Sequence, residues 1–506
     1  MLPSVTSFFL HNARVLTMDL QRPYADAVAV RDGRIVSERD LDADARRIDC
    51  EGGVVLPAFI DAHLHLLSYA ASLRAVDCTA ARSIAGIQNA VRARASITAP
   101  GAWIRAFGYE ETQLAEDRHP TRHELDEAAP AHPVRLIHRS AHASVLNSLA
   151  LRAAGITIAT EEPSGGYMER EAATGEPAGF LLGMERIIDG VRPLLPYDAL
   201  SSAVREASDR LLSAGIVCVQ DATQTNGRDE WDLITRLIEN GALDLDVVLM
   251  EGIDHLGEMP ERAANGRLRR GASKVMLHET ETDFAPDETE LRRLVGEAHG
   301  AGRQVAIHAV GEEAVGAAFR AIEAALREHR RADCRHRIEH AGLLPDGLAP
   351  RMAELGVMVV SQPALLRERG ERYLRLMPEE RLERLYAYRT LAEAGVTLAA
   401  SSDAPVTPPE PLASVASAVA RASGDGRAIG ASQAVEAGEA LGWWTAGAAH
   451  AGFLDGERGA VREGLRADLI LLGPDAVEGP ETLARARPAR IWREGMEIAL
   501  AGAGTY

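Results

Sequence analysis

The sequence predicts a (β/α)8 barrel of the TIM type, with a small β-sandwich domain formed by both termini and a long insertion after barrel strand 1. Three observations carry that prediction. Apolar β-like runs recur through the middle of the chain, most of them separated by amphipathic helical stretches, which is the alternation of a parallel barrel. Both ends read instead as short strands joined by turns. The gap between the first two apolar runs, about 150 residues, is far too long for one crossover connection.

Taken in order, residues 8–55 break into short β pieces, with Asp32-Gly33 between Val28-Ala29-Val30 and Arg34-Ile35-Val36 as a hairpin turn. The barrel strands are expected at residues 54–61, 216–221, 245–250, 273–277, 304–308, 335–340, 357–361 and 397–401. Helices are expected at 288–301, 312–329 and 379–394, where apolar residues recur at helical spacing. Inside the insertion a hairpin is expected from Gly165-Gly166 to Gly179. At the far end, Ala467-Asp468-Leu469-Ile470-Leu471-Leu472, Ala489-Arg490-Ile491-Trp492 and Glu497-Ile498-Ala499 read as strands again. The expected domains are therefore 1–56 plus 455–506 as a composite β-sandwich and 57–454 as the barrel, with an inserted subdomain at about 70–200.

Composition narrows the function. The chain has 506 residues, 46% of them hydrophobic, which is ample for a large core, and only 4% aromatic. Acidic residues outnumber basic ones 74 to 55, a formal charge of −19, which argues against nucleic acid and anionic membranes as partners. The four cysteines, Cys50, Cys78, Cys218 and Cys334, are scattered without Cys-x-x-Cys spacing, so neither a disulfide framework nor a zinc knot is expected. The apolar start is too short for a signal peptide, and no run approaches the roughly 18 apolar residues of a membrane span. A cytoplasmic location follows as the expectation. Among the 55 basic residues only Lys274 is lysine. Arginine cannot lose its proton in a protein, whereas a buried lysine can become a neutral amine, so the exception invites a chemical reason.

Active-site residues of such barrels sit at the C-terminal ends of the strands. Strand 1 runs into His63-Leu64-His65, strand 4 carries Lys274, strands 5 and 6 end on His308 and His340, and strand 8 runs into Asp403. His63 and His65 are two apart, so on a strand both imidazoles face one side and suit a divalent metal, with zinc the commonest candidate. His11, His132, His299, His329 and His450 fall at no strand end and read as solvated or core histidines. Asp403 can bind a metal and take a proton from metal-bound water, or it can act as a turn or capping residue beside Pro405. Asp61 can fix an imidazole from outside the metal site or close its strand. No Gly-x-Ser-x-Gly elbow, phosphate-binding loop or dinucleotide fingerprint is present.

The segment Pro57-Ala58-Phe59-Ile60-Asp61-Ala62-His63-Leu64-His65 resembles the first-strand signature of the amidohydrolase superfamily of metal-dependent hydrolases. His142 with Asn147-Ser148, Lys274, His308-Ala309-Val310-Gly311, Ile338-Glu339-His340-Ala341, Ser401-Ser402-Asp403-Ala404-Pro405 and the 459–472 segment follow in the order that family shows. The likeness is greatest to its family-3 branch, which includes N-substituted formamide deformylase-like enzymes. The resemblance implies His63 and His65 on one metal ion, His308 and His340 on a second, Lys274 as N6-carboxylysine bridging the two, and Asp403 as ligand and proton shuttle. It also implies His142 as a substrate or oxyanion contact, against the alternative of capping a helix at 144–154. Glu110, Glu111, Gln113, Arg139, His278 and Glu279 are the remaining substrate candidates. Ala58 stands where the family has Gly, Tyr109-Glu110 where it has Trp-Asp, and His278-Glu279-Thr280-Glu281 where it has a Gly-rich stretch. These departures leave the metal ligands intact and bear on which substrate is taken.

The activity expected is hydrolysis of an amide-type C–N bond, in a formamide, cyclic amide or related compound, by a metal-activated hydroxide. Hydrolysis of a carbamate, ester or phosphoester by the same centre is the alternative reaction, and a catalytically silent ligand-binding barrel the alternative class. The cofactor expected is a divalent metal, zinc first, with one or two ions per chain. The partner expected is a small-molecule substrate, with a homodimer left open.

Overall fold

Residues 53–64 form one unbroken buried run, so no alternation marks where one sheet ends and the next begins. The computed structural model, which describes residues 7–140, 142–163, 166–184, 187–188, 195–279 and 284–499, shows that the run divides at a single peptide. The Ala58 amide donates to Asp468 O, and the next amide, Phe59, donates to Gly215 O. Val54–Pro57 accordingly pairs with Leu469–Leu472 and Arg14–Leu16. Phe59–Leu64, not 54–61 as expected, is barrel strand β1.

The barrel continues with β2 (Ile216–Asp221), β3 (Asp246–Gly252), β4 (Leu268–Met276), β5 (Val305–Ala309), β6 (Arg337–His340), β7 (Met358–Ser361) and β8 (Leu398–Ala400). All eight lie parallel in one sheet in sequence order. The ring is nearly closed, and two backbone bonds link its first and last strands at their C-terminal ends. Asp403 N donates to His63 O at 2.8 Å, and His65 N donates to Ala404 O at 2.9 Å. The interior is filled with small and branched side chains, among them Ile60, Ala62, Cys218, Val248, Val360 and Ala399.

The helices at Glu288–Gly300 and Glu312–Glu328 match the expected spans to within one residue. The expected helix at 379–394 is broken into Glu379–Leu382 and Tyr388–Glu393. Between them Leu385 bridges to Leu343, the Tyr386 amide donates to Gly342 O, and Tyr386 adopts a φ of 47°. Pairing with the loop after β6 overrides a continuous helical pattern there.

Strands from both ends of the chain share a six-stranded sheet, which orders Met496–Glu497, Arg490–Arg493, Leu469–Leu472, Val54–Pro57, Arg14–Leu16 and Tyr24–Ala25. A second, four-stranded sheet holds Phe8–His11, Val28–Arg31, Arg34–Val36 and Arg46–Asp49. Phe8, Val30, Leu469 and Trp492 belong to one core cluster drawn from both sheets. The Asp32-Gly33 turn has φ values of 53° and 74°, as a two-residue hairpin of this hand requires.

By compactness, residues 1–66, 207–277 and 286–506 form one unit, and 67–206 with 278–285 form another. The second unit is a six-stranded sheet, in the order Tyr167–Arg170, Pro177–Leu182, Ala143–Leu146, Val134–His138, Ile104–Tyr109 and Val76–Asp77. The expected hairpin is formed by the first two of these, although Gly165 lies outside the described residues. Among the described residues no helix is long and apolar enough to cross a membrane.

At the start of β3, Asp246 is held by Arg458, by Arg466 Nη1 at 2.8 Å and by Arg267 Nε at 3.3 Å. Burial opposes its charge, but the guanidinium groups, Arg458 foremost, hold its carboxyl below the usual range. Asp246→Asn should lower stability by about 3 kcal/mol, because it takes a carboxylate partner from the buried Arg458 guanidinium. A denaturation midpoint at pH 7 would read the loss. The native advantage should be full above the carboxyl's ordinary pKa and disappear as pH falls through its lowered folded value. Identical midpoints for the two proteins would refute this role.

Candidate metal centre

β1 delivers the first two histidines. His63 is the penultimate residue of the strand and His65 lies one past its end, with ring centroids 5.5 Å apart. Beyond β8, Asp403 adopts a φ of 55°, which turns its carboxylate back over the barrel end. Its Oδ1 lies 3.2 Å from His65 Nε2 and 3.6 Å from His63 Nε2, yet accepts no aligned hydrogen bond. Ligand atoms of these three residues all lie within 4.8 Å of one another.

The far nitrogen of each imidazole is already engaged. His63 Nδ1 bonds the Glu339 carboxylate, and His65 Nδ1 lies 3.0 Å from Thr223 Oγ1. His340 Nδ1 lies 2.7 Å from Gln362 Oε1, whose amide group in turn donates to Ser401 Oγ. A carboxylate and an amide oxygen can only accept, so His63 and His340 carry their protons on Nδ1 and present Nε2 lone pairs to the site. Burial, with the Lys274 charge adding to it, pushes the His63 imidazole down to about 3, so it is neutral at working pH. For Asp403, burial opposes ionisation, but the nearby imidazoles of His65, His63 and His340 outweigh it and hold the carboxyl well below its usual range.

His340 ends β6 and lies close to two partners. Its Nε2 is 2.8 Å from His308 Nδ1, and its ring centroid is 5.0 Å from that of His63. Lys274 lies in β4, two residues before the strand ends, and is 1% exposed. Its Nζ has no hydrogen-bond partner among the described residues. Burial pulls its pKa down to about 8, against the pull of Glu339 and Asp403. An orphaned carboxylate oxygen, an orphaned amine and inward-facing imidazole lone pairs form a donor set that suits a divalent metal and is otherwise costly to bury.

Asp61 does not touch an imidazole. It accepts from the His63 amide at 3.2 Å and from Ser402 N and Oγ, so it ties β1 to the segment carrying Asp403. Burial raises its pKa to about 7. The residue that fixes an imidazole is Glu339, which the alternation of β6 hides: if His340 faced in by strand geometry, Glu339 would face out. A φ of 70° at His340 breaks the alternation and lets both reach the site.

A second convergence, of His299, Cys334 and His336, needs no ion. Val305 N donates to His336 Nδ1 at 3.0 Å, so the His336 proton is on Nε2, facing His299 Nδ1 at 2.9 Å, and His299 Nε2 bonds His329 O at 2.7 Å. Neutral tautomers satisfy the whole chain.

The other candidates belong to the second unit. Glu110 and Glu111 flank His138, whose Nε2 is 3.5 and 2.8 Å from their carboxylates. Burial alone would lower the His138 pKa, but the two glutamates outweigh it and raise it. Sequence reasoning passed over His138, because it ends a strand of the insertion rather than of the barrel. Gln113 closes the turn of Glu111–Gln113, and the Arg139 amide donates to Tyr109 O. His278 and Glu279 pair with Ala285 and Phe284 in a short hairpin. The His142 amide is 3.3 Å from Ser140 Oγ, and its carbonyl accepts from Gly183. The helix-capping alternative for His142 fails: the helix is Ser148–Ala153, capped by Asn147, whose Oδ1 accepts from Ala150 N.

A model of the amidohydrolase family matches residues 46–499. The chain belongs to that family. Among relatives of this amidohydrolase, it is 31% identical over 509 residues to an N-substituted formamide deformylase of Arthrobacter pascens, covering 92% of this chain and 93% of the relative. It is 28% identical to the putative amidohydrolase YtcJ of Bacillus subtilis strain 168, covering 92% and 94%. Of solved structures, an uncharacterised metal-dependent hydrolase of Pyrococcus horikoshii superposes with a TM-score of 0.72 at 22% identity, over 97% of the amidohydrolase and all of that chain.

Proposed function

We propose that this amidohydrolase cleaves an amide-type C–N bond in a small molecule, a formamide, cyclic amide or related compound, using divalent metal held by His63, His65, Lys274, His308, His340 and Asp403. The observation that carries the reading is the convergence of the His63 and His65 Nε2 atoms on the orphaned Asp403 Oδ1. The reaction class draws on the formamide deformylase among its relatives. In this reading His63 and His65 would hold one ion and His308 and His340 a second, zinc in both cases, with Lys274, as N6-carboxylysine, a shared ligand. Bound metal supplies a water acidic enough to ionise near neutral pH and polarises the scissile carbonyl. Asp403 takes a proton from the attacking water on Oδ1 and delivers it to the leaving nitrogen, and the neutral imidazoles keep their lone pairs available throughout. His142 is the residue assigned in this reading to the substrate or its developing oxyanion, and Glu110, Glu111, Gln113, Arg139, His278 and Glu279 are its remaining substrate candidates. The terminal segments 1–56 and 455–506 act as a β-sandwich domain that supports the barrel of 57–454, with the insertion of about 70–200 contributing substrate contacts.

A panel of N-substituted formamides, cyclic amides, carbamates, esters and phosphoesters tests the reading, with metal content measured on the same preparation. Chelation should remove at least about 90% of the hydrolysis, and zinc should restore it. Release of an amine from the amide members supports the C–N assignment. Turnover confined to esters or phosphoesters, or full activity after the metal is stripped, would overturn it.

A further inference from the structure

Arg337 and Glu339 occupy the barrel interior, 1% and 0% exposed, on the same side of β6. Every donor group of Arg337 is engaged. Nε and Nη2 bond the Glu339 carboxylate, Nη1 donates to Gln220 Oε1 at 2.7 Å on β2, and Nη2 donates to Ala62 O at 2.6 Å on β1. Gln220 is itself held, its amide donating to Ala448 O at 2.7 Å. Both Glu339 oxygens are bonded, Oε1 to Arg337 and Oε2 to Arg337 and His63 Nδ1. A buried ion pair of this kind adds little stability over apolar side chains of the same volume, so its place in the barrel calls for another reason.

We propose that Arg337 and Glu339 are positioning residues for the metal centre: Arg337, anchored across the barrel to β1 and β2, holds the Glu339 carboxylate where it locks His63 in the tautomer and orientation that present Nε2. This rests on the reading of His63 as a ligand. Removing the carboxylate frees the ring to rotate and to move its proton to Nε2, and either change withdraws the lone pair. Arg337 donates to no ligand side chain and reaches the His63 ring through Glu339. The two substitutions should therefore be strongly non-additive.

The test measures zinc affinity of the metal-free, full-length protein by competition with a chelating dye, together with the Co(II) absorption spectrum. The variants are Glu339→Gln, Arg337→Gln and the pair combined. Asp246→Asn, which lowers stability away from the site, serves as the control. Glu339→Gln should weaken zinc roughly 10- to 100-fold and alter the Co(II) spectrum. The double variant should be no weaker than Glu339→Gln alone, and Asp246→Asn should stay within about twofold of wild type. If Arg337→Gln fails to fold, Arg337→Lys, which keeps the charge and loses the fork, should still weaken zinc measurably. Wild-type zinc affinity in folded Glu339→Gln, or effects of the two residues that simply add, would overturn the inference. Wild-type protein that binds no zinc would instead defeat the metal reading itself.

Discussion

Replacing Lys274 with arginine is expected to remove most of the bound metal and, on the order of a thousandfold, the activity, although the positive charge is kept. Lys274 is 1% exposed with an unpartnered Nζ, and burial brings its pKa to about 8. Roughly a tenth of the amine is then neutral at pH 7. That neutral nitrogen can bond the carbon of carbon dioxide and release a proton to solvent, which yields a carbamate with two oxygens to share. A guanidinium cannot lose its proton and cannot make that bond, and left as a cation it would repel metal from the site. Metal analysis and hydrolysis assays on the same folded preparation decide the matter. A Lys274→Arg protein with full metal and wild-type turnover would sink the bridging role.

Asp403→Asn should lower kcat by about 10²- to 10⁴-fold with a smaller change in KM. Asparagine tolerates the left-handed backbone that Asp403 adopts, with its φ of 55°, so the turn and its bond to His63 O should survive. What disappears is the anion and its capacity to take a proton. A steady-state comparison with metal content fixed by analysis separates loss of the shuttle from loss of the ion. An Asn variant with undiminished kcat at full metal occupancy would exclude Asp403 as the proton carrier.

Much of this centre was legible in the chain because barrel chemistry sits at strand ends, and strand ends can be read from apolar runs. His65, His340 and Asp403 fall at or just past such ends, His63 and His308 lie one residue before them, and Lys274 two residues before one. Glu339 escaped the same logic, since one left-handed residue beside it reverses the facing that strict alternation assigns. The first strand was misplaced because residues 53–64 are buried throughout, and burial on both faces erases the pattern that would separate two sheets. His138 and its two glutamates were not expected as a group, because the β order of the insertion brings them together from turn and strand ends with no sequence period of their own.

What the sequence by itself determined is therefore local and chemical: the run of strands and helices, the lone lysine among arginines, and the kinds of side chain placed at the barrel mouth. Periodicity and residue type are properties of a few neighbours, and they survive without a fold. The tertiary structure alone decided which of those side chains meet. It split one apolar run between two sheets at the Ala58–Phe59 peptide, broke the 379–394 helix to satisfy the loop after β6, and led Arg337 across the barrel to hold the carboxylate behind His63. Those outcomes depend on hydrogen bonds between residues far apart in the chain, Arg337 and Ala62 being 275 positions apart and Ala58 and Asp468 farther still, and no local pattern encodes a partner at that distance.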